Sequence, residues 1–140
     1  MNSGGDMTNY LATLPAFLTW FPVCAILLAA FAAIYIRVTP WAELRLIRAG
    51  NNAAAISFSG AILGYSLVVA SVMLHAVSRI DLLVWGIVGL VVQVAAFYVA
   101  RMLLGGDLPR RMEEGQLSSG IMLASTSLAA GVLNAATMVF

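Results

Sequence analysis

The charged residues of this chain fall in short clusters separated by four long windows that hold none. Residues 7–36, 49–78, 82–100 and 115–140 contain no Asp, Glu, Lys or Arg, so 105 of 140 positions are charge-free. A helix that crosses a bilayer needs roughly 20 mostly apolar residues. Four windows of that length use up almost the whole chain and leave no room for a soluble domain. Composition agrees, with 62% hydrophobic and 9% charged residues, against roughly 25% charged in an ordinary soluble domain. The pattern excludes a water-soluble enzyme, a nucleic-acid binder and a disordered chain.

Helices are the element that fits. Runs such as 25–36 and 82–92 are apolar on every side, whereas barrel strands alternate apolar and polar residues. An open sheet in lipid would leave its edge groups unsatisfied. The reading is therefore an all-α integral membrane protein with four spans at about 17–38, 52–77, 82–104 and 117–139. The N-terminus lacks the basic region of a signal peptide, since Asp6 is its one charged side chain. It reads as a retained first span. Cys24 and His75 are the single cysteine and histidine. They form neither a disulfide nor a metal cluster, and no cofactor is expected.

Arginine placement sets the expected orientation. The first connection holds Arg37, Arg45 and Arg48, the third Arg101, Arg110 and Arg111, and the second, around 78–81, only Arg79. Cytoplasmic loops collect Lys and Arg, so both termini are expected outside, in the periplasm of a bacterial cell. Tyr10, Trp20 and Trp85 then fall near the outer interface and Trp41 at the inner one. Both arginine-rich connections look structured. From Thr39 to Gly50 the sequence reads as a short surface helix, with Thr39 as cap, Pro40 in the first turn and Gly50 as terminator. Its Trp41, Leu44 and Ile47 are expected against the membrane. From Gly106 to Gly115 the plan recurs.

That recurrence extends along the chain. A shift of 65 residues superposes the halves without a gap and matches ten residues, among them Trp20 with Trp85, Arg45 with Arg110 and Gly50 with Gly115. The single membrane domain, residues 1–140, is therefore expected to consist of two parallel two-helix repeats, about 17–77 and about 82–140. They would be related by a pseudo-two-fold axis along the membrane normal.

Polar residues within the spans are the candidate site residues. Gln93 lies mid-span and Asn134 in the outer third of the last span. An unpaired amide in hydrocarbon costs about 2–7 kcal/mol, so each should face a partner helix, a ligand or water. Ser57, Gly60 and Gly64 form a small-residue stripe in the second span, and Ser127 and Gly131 join Asn134 in the fourth. Such stripes let membrane helices approach closely, so spans two and four should form the packed centre. Small residues lining a pore is the sharper alternative. Asn51 and Asn52, at the inner end of span two, read as helix caps. His75 reads as an interfacial side chain. Glu43, Arg45, Arg48, Arg110, Arg111 and Glu113 make up the candidate cytoplasmic docking surface.

Glu43 followed by the run 50–56, Gly-Asn-Asn-Ala-Ala-Ala-Ile, resembles the signature of the YjfL-like inner membrane proteins, the "domain of unknown function 350" family. Gln93 is similar to a glutamine typical of the family's third helix. Glu113-x-Gly115 with Gly120-Ile121 resembles the second copy of the signature, and 129–138 the last helix. The chain departs at Gln116, where the second copy more often has Asn, and at Ser118 and Ser119, which stand in place of alanines. The resemblance implies a small multi-pass bacterial inner membrane protein and names no substrate.

Two functions fit these residues. In one, the chain is an oligomeric membrane scaffold that holds a cytoplasmic or membrane-bound protein partner at its docking segments. In the other, it is an oligomeric channel or small transporter with a path lined by Gln93, Asn134 and hydroxyl residues. No nucleophile–base pair is visible, so an enzyme is not expected, and neither is a nucleic-acid partner.

Overall fold

The computed structural model describes residues 3–138. Those residues form six helices: α1 (Ser3–Val38), α2 (Glu43–Arg48), α3 (Asn52–His75), α4 (Arg79–Leu104), α5 (Leu108–Glu113) and α6 (Leu117–Thr137). The four long ones, α1, α3, α4 and α6, are each long and apolar enough to cross a membrane. The charge-free windows thus locate the long helices, with one difference. α1 begins at Ser3 rather than near residue 17 and runs through Pro15 and Pro22. At 1.5 Å per residue its 36 residues extend about 54 Å, well beyond a hydrocarbon core of roughly 30 Å. The Thr19 hydroxyl, donating to the Pro15 and Ala16 carbonyls at 2.5 and 3.0 Å, occupies acceptors beside the first proline.

α3 and α6 are the most closely packed pair, and glycine sets their separation. A Cβ on Gly60 would overlap the backbone of Ala124, and one on Gly64 the carbonyl of Ser127. One on Gly120 would lie 2.5 Å from the Ala53 carbonyl oxygen. These contacts advance in the same direction along both helices, so α3 and α6 run parallel. Water is absent from a bilayer core, so no hydrophobic drive pushes two helices together there. Dispersion across a close seam and hydrogen bonds between helices do that work instead. Ser71 supplies one such bond, its hydroxyl donating to the Ala135 carbonyl at 2.8 Å.

α4 packs on both members of the pair, and α1 lies on α3 and α4. α1 contributes Leu27, Phe31 and Tyr35, one helical turn apart, to an aromatic seam. Phe31 stacks on Tyr65 with ring centroids 4.5 Å apart. Tyr35 meets Phe97 edge-on at 5.7 Å, and Trp41 meets the same ring at 5.9 Å.

The short helices close with the same backbone bonds. Asn51 N–H donates to the Leu46 carbonyl at 2.9 Å, and Gln116 N–H to the Arg111 carbonyl at 2.9 Å. Gly50 at φ +85° and Gly115 at φ +76° take the left-handed conformation that turns each chain into the next long helix. Thr39 does not cap α2, as the sequence suggested. The helix starts four residues later, without a side-chain cap, and the Thr39 hydroxyl donates to the Ile36 carbonyl at 3.1 Å.

Candidate functional site

The connectors α2 and α5 lie at the same end of the bundle, and Asn51 links both, its backbone N–H donating to the Leu46 carbonyl and its side chain to the Met112 carbonyl. Its Oδ1 accepts from the Ala54 N–H at 3.0 Å, capping α3, while its Nδ2 donates to the Met112 carbonyl at 2.7 Å. One side chain thus fixes the start of α3 and the end of α5 together. A cleft of about 390 Å³ lies between the connectors, lined by Leu46, Gly50, Asn51, Asn52, Glu113 and Gly115. Asn52, Arg45, Arg48, Arg110 and Glu113 are exposed around it. Arg110 forms an exposed ion pair with Glu114 at 2.8 Å.

Two of the expected docking residues do other work. Arg111 is partly buried, donates to the Leu104 carbonyl and pairs with Asp107 at 3.2 Å. It therefore serves the orphan carbonyls at the end of α4. Glu43 is the larger correction. Expected on the surface, it is fully buried at 0% exposure. Its Oε2 accepts from the Trp41 indole N–H at 2.6 Å, and its Oε1 has no hydrogen-bond partner. Burial pushes its carboxyl up to about 7, and the bond from Trp41 pulls it only part of the way back. The sequence signal for this was the triplet Trp41-Ala42-Glu43. It sets an indole N–H two residues before the carboxyl that opens α2, close enough for the two to bond inside the bundle.

Above this level the interior polar groups face neighbouring helices. Gln93, 1% exposed, donates through Nε2 to the Ser127 carbonyl at 3.1 Å, while its Oε1 is buried without a partner. Ser57 and Ser127 are likewise sealed, and Ser57 pairs with the Tyr35 hydroxyl at 3.2 Å. The Gly131 Cα edge presses on the Gly64 backbone. A path running between copies of the chain would therefore not touch Gln93, Ser57 or Ser127. Asn134 is the partial exception. Its Nδ2 is buried without a partner, and the residue borders a cleft of about 480 Å³ at the opposite end of the bundle. His75, Asp81, Trp85 and Thr137 line the same cleft. The His75 Nδ1–H donates to the Ser71 carbonyl at 2.8 Å. Among the described residues, no three His, Cys, Asp or Glu side chains converge as a metal ion would require.

Comparison with known proteins gives a consistent placement. No solved structure matches the chain. The "UPF0719 inner membrane protein YjfL" of Escherichia coli strain K12 is 33% identical over 130 residues, covering 93% of this chain and 98% of that protein. The protein of the same name from Escherichia coli O157:H7 matches to the same extent. A family model described as "Domain of Unknown Function (DUF350)" covers residues 9–138. With four membrane-length helices and a family match across nearly its whole length, the chain belongs to the DUF350 family.

Proposed function

We propose that this protein is an oligomeric scaffold of the bacterial inner membrane that presents its paired connectors to a protein partner, and that it catalyses no reaction of its own. The observation that carries this reading is the Asn51 bridge from α3 to the Met112 carbonyl. It ties the end of α5 to the start of α3, where the Asn51 backbone N–H also closes α2 on the Leu46 carbonyl, and the resulting platform is rimmed by Arg45, Arg48, Arg110 and Glu113. Fixed charges on a rigid support recognise a partner at low entropic cost. The arginine distribution orients that platform to the cytoplasm and both termini to the periplasm. The matching closures of α2 and α5, 65 residues apart, support two parallel repeats within the single domain.

Self-association has its own support in α6, the least apolar of the four long helices. Its outward row of Ser118, Met122, Ser125, Ala129, Val132 and Ala136 follows a heptad-like spacing with small residues at four positions. Such a row suits close helix–helix contact better than lipid. The channel reading retains one favourable observation, the unpartnered Gln93 Oε1 and Asn134 Nδ2.

Partner capture from membranes separates the two. Replacing Arg45, Arg48 and Arg110 with Gln should abolish capture and leave the bundle folded, while liposomes carrying the protein show no solute or ion flux. Flux that disappears in Gln93→Leu or Asn134→Leu would replace the scaffold with the channel.

A further inference from the structure

Glu43 is the one carboxyl among the described residues with no exposed surface, so it is out of reach of a partner docked on the platform. A carboxylate accepts up to about four hydrogen bonds and donates none. Here it receives the Trp41 N–H on Oε2, and its Oε1 receives nothing. No cation compensates. Arg37 on α1 and Arg45 and Arg48 on α2 are exposed, and Arg101 on α4 is partly so. None of them acts on the carboxyl. Tyr35 on α1 is the titratable group that senses its charge, and its hydroxyl pairs with Ser57 of α3 at 3.2 Å. α4 reaches this region through Phe97, against Trp41.

The second connector shows what this position needs for packing. Leu108 opens α5 as Glu43 opens α2, 65 residues apart, and it too is 0% exposed. A leucine suffices to fill the slot there. A buried, unpaired charge is costly, so the acid at the equivalent place in α2 is explained by its proton and not by its volume.

We propose that Glu43 is a reversible proton-binding site and that its proton keeps α2 seated in the bundle. In the seated state the carboxyl is neutral. Loss of the proton to water at the connector end leaves a carboxylate that must be hydrated. The element that yields is α2, six residues long and held between Pro40 and the turn at Gly50. Trp41 moves with it, because its indole N–H is bonded to the same carboxyl. An affinity for protons near neutral pH makes both states accessible under ordinary conditions. This inference holds whether or not the platform binds a partner.

Trp41 reports the change directly. In a Trp20→Phe, Trp85→Phe background reconstituted in phospholipid nanodiscs, its quenching by acrylamide should rise between pH 5.5 and 9, with a red-shifted emission. Glu43→Gln and Glu43→Leu should hold the low-pH signal throughout. A flat wild-type signal, or the same titration in Glu43→Leu, would overturn the proposal. A second measurement needs no substitution. A hydrophobic carbodiimide, which reacts with protonated carboxyls, should modify Glu43 at pH 6 roughly tenfold or more above pH 9. No adduct at Glu43 at pH 6 overturns the proposal equally.

Discussion

Adding one methyl group at Gly131 tests the α3–α6 seam. An alanine Cβ there would fall 2.7 Å from both the carbonyl carbon and the Cα of Gly64, against ordinary carbon contacts of about 3.5–4.0 Å. The obstacle is backbone, which no rotamer change clears, so α6 must move away by close to an ångström. Overpacking of this kind costs about 1–3 kcal/mol. Alanine in place of a helical glycine returns roughly 0.5–1 kcal/mol, leaving a net loss of about 1–2 kcal/mol. Gly120→Ala meets the Ala53 backbone at the other end of the seam. It lies eleven residues away, about 16 Å along the helix, so the two losses should add to about 2–4 kcal/mol. Gly106 has open space around it, and Gly106→Ala should leave stability unchanged. The assay is unfolding in mixed micelles by titration with a denaturing detergent, followed by tryptophan fluorescence. If both seam variants are stabilised, as helix propensity alone would make them, the close approach of α3 and α6 is refuted.

Further outcomes follow from the connectors. The Glu43 carboxyl, ordinarily near 4.5, is raised to about 7 in the folded chain. Its contribution to stability is therefore full below pH 4.5 and is lost as pH rises through 7. Glu43→Leu should remove that dependence and exceed the wild type by up to about 3 kcal/mol at pH 8, read from unfolding midpoints at pH 5 and pH 8. Asn51→Ala loses both the α3 cap and the bond to Met112, at about 1–2 kcal/mol in the same assay. The exposed neighbour variant Asn52→Ala should stay within about 0.5 kcal/mol. Arg111→Met frees the Leu104 carbonyl and should lower the unfolding midpoint, whereas Arg110→Ala, at an exposed pair, should leave it where it is.

The sequence made the long helices legible because a bilayer imposes a length and a charge rule that few chains meet by accident. Gly60, Gly64 and Gly131 marked the closest helix pair for a similar reason, since small residues are what backbone contact requires. The start of α1 is not legible because the apolar run begins near Pro15, yet the helix continues through that proline to Ser3. The inward turn of Glu43 was hidden by its company. In a cluster of arginines a lone glutamate reads as solvated, and the sequence puts the cap of the short helix at Thr39. Starting instead at Glu43, α2 points its first residue inward and leaves Leu44 42% exposed. Trp41, ahead of the helix, is buried against Phe97 and so leaves the row expected with Leu44 and Ile47. Arg111 could not be told from Arg110 by sequence. Only the fold brings the Leu104 carbonyl to one of them.

The scaffold reading rests on several copies of the chain standing together in the membrane. Its most direct test is the mass of the protein extracted with its own lipids into polymer-bounded discs and measured by native mass spectrometry. The expected mass is a discrete multiple of the 14.8 kDa chain, reduced to one copy when Ser125 and Ala129 on the outer row of α6 are replaced by leucine. A single-chain mass for the unaltered protein would contradict it.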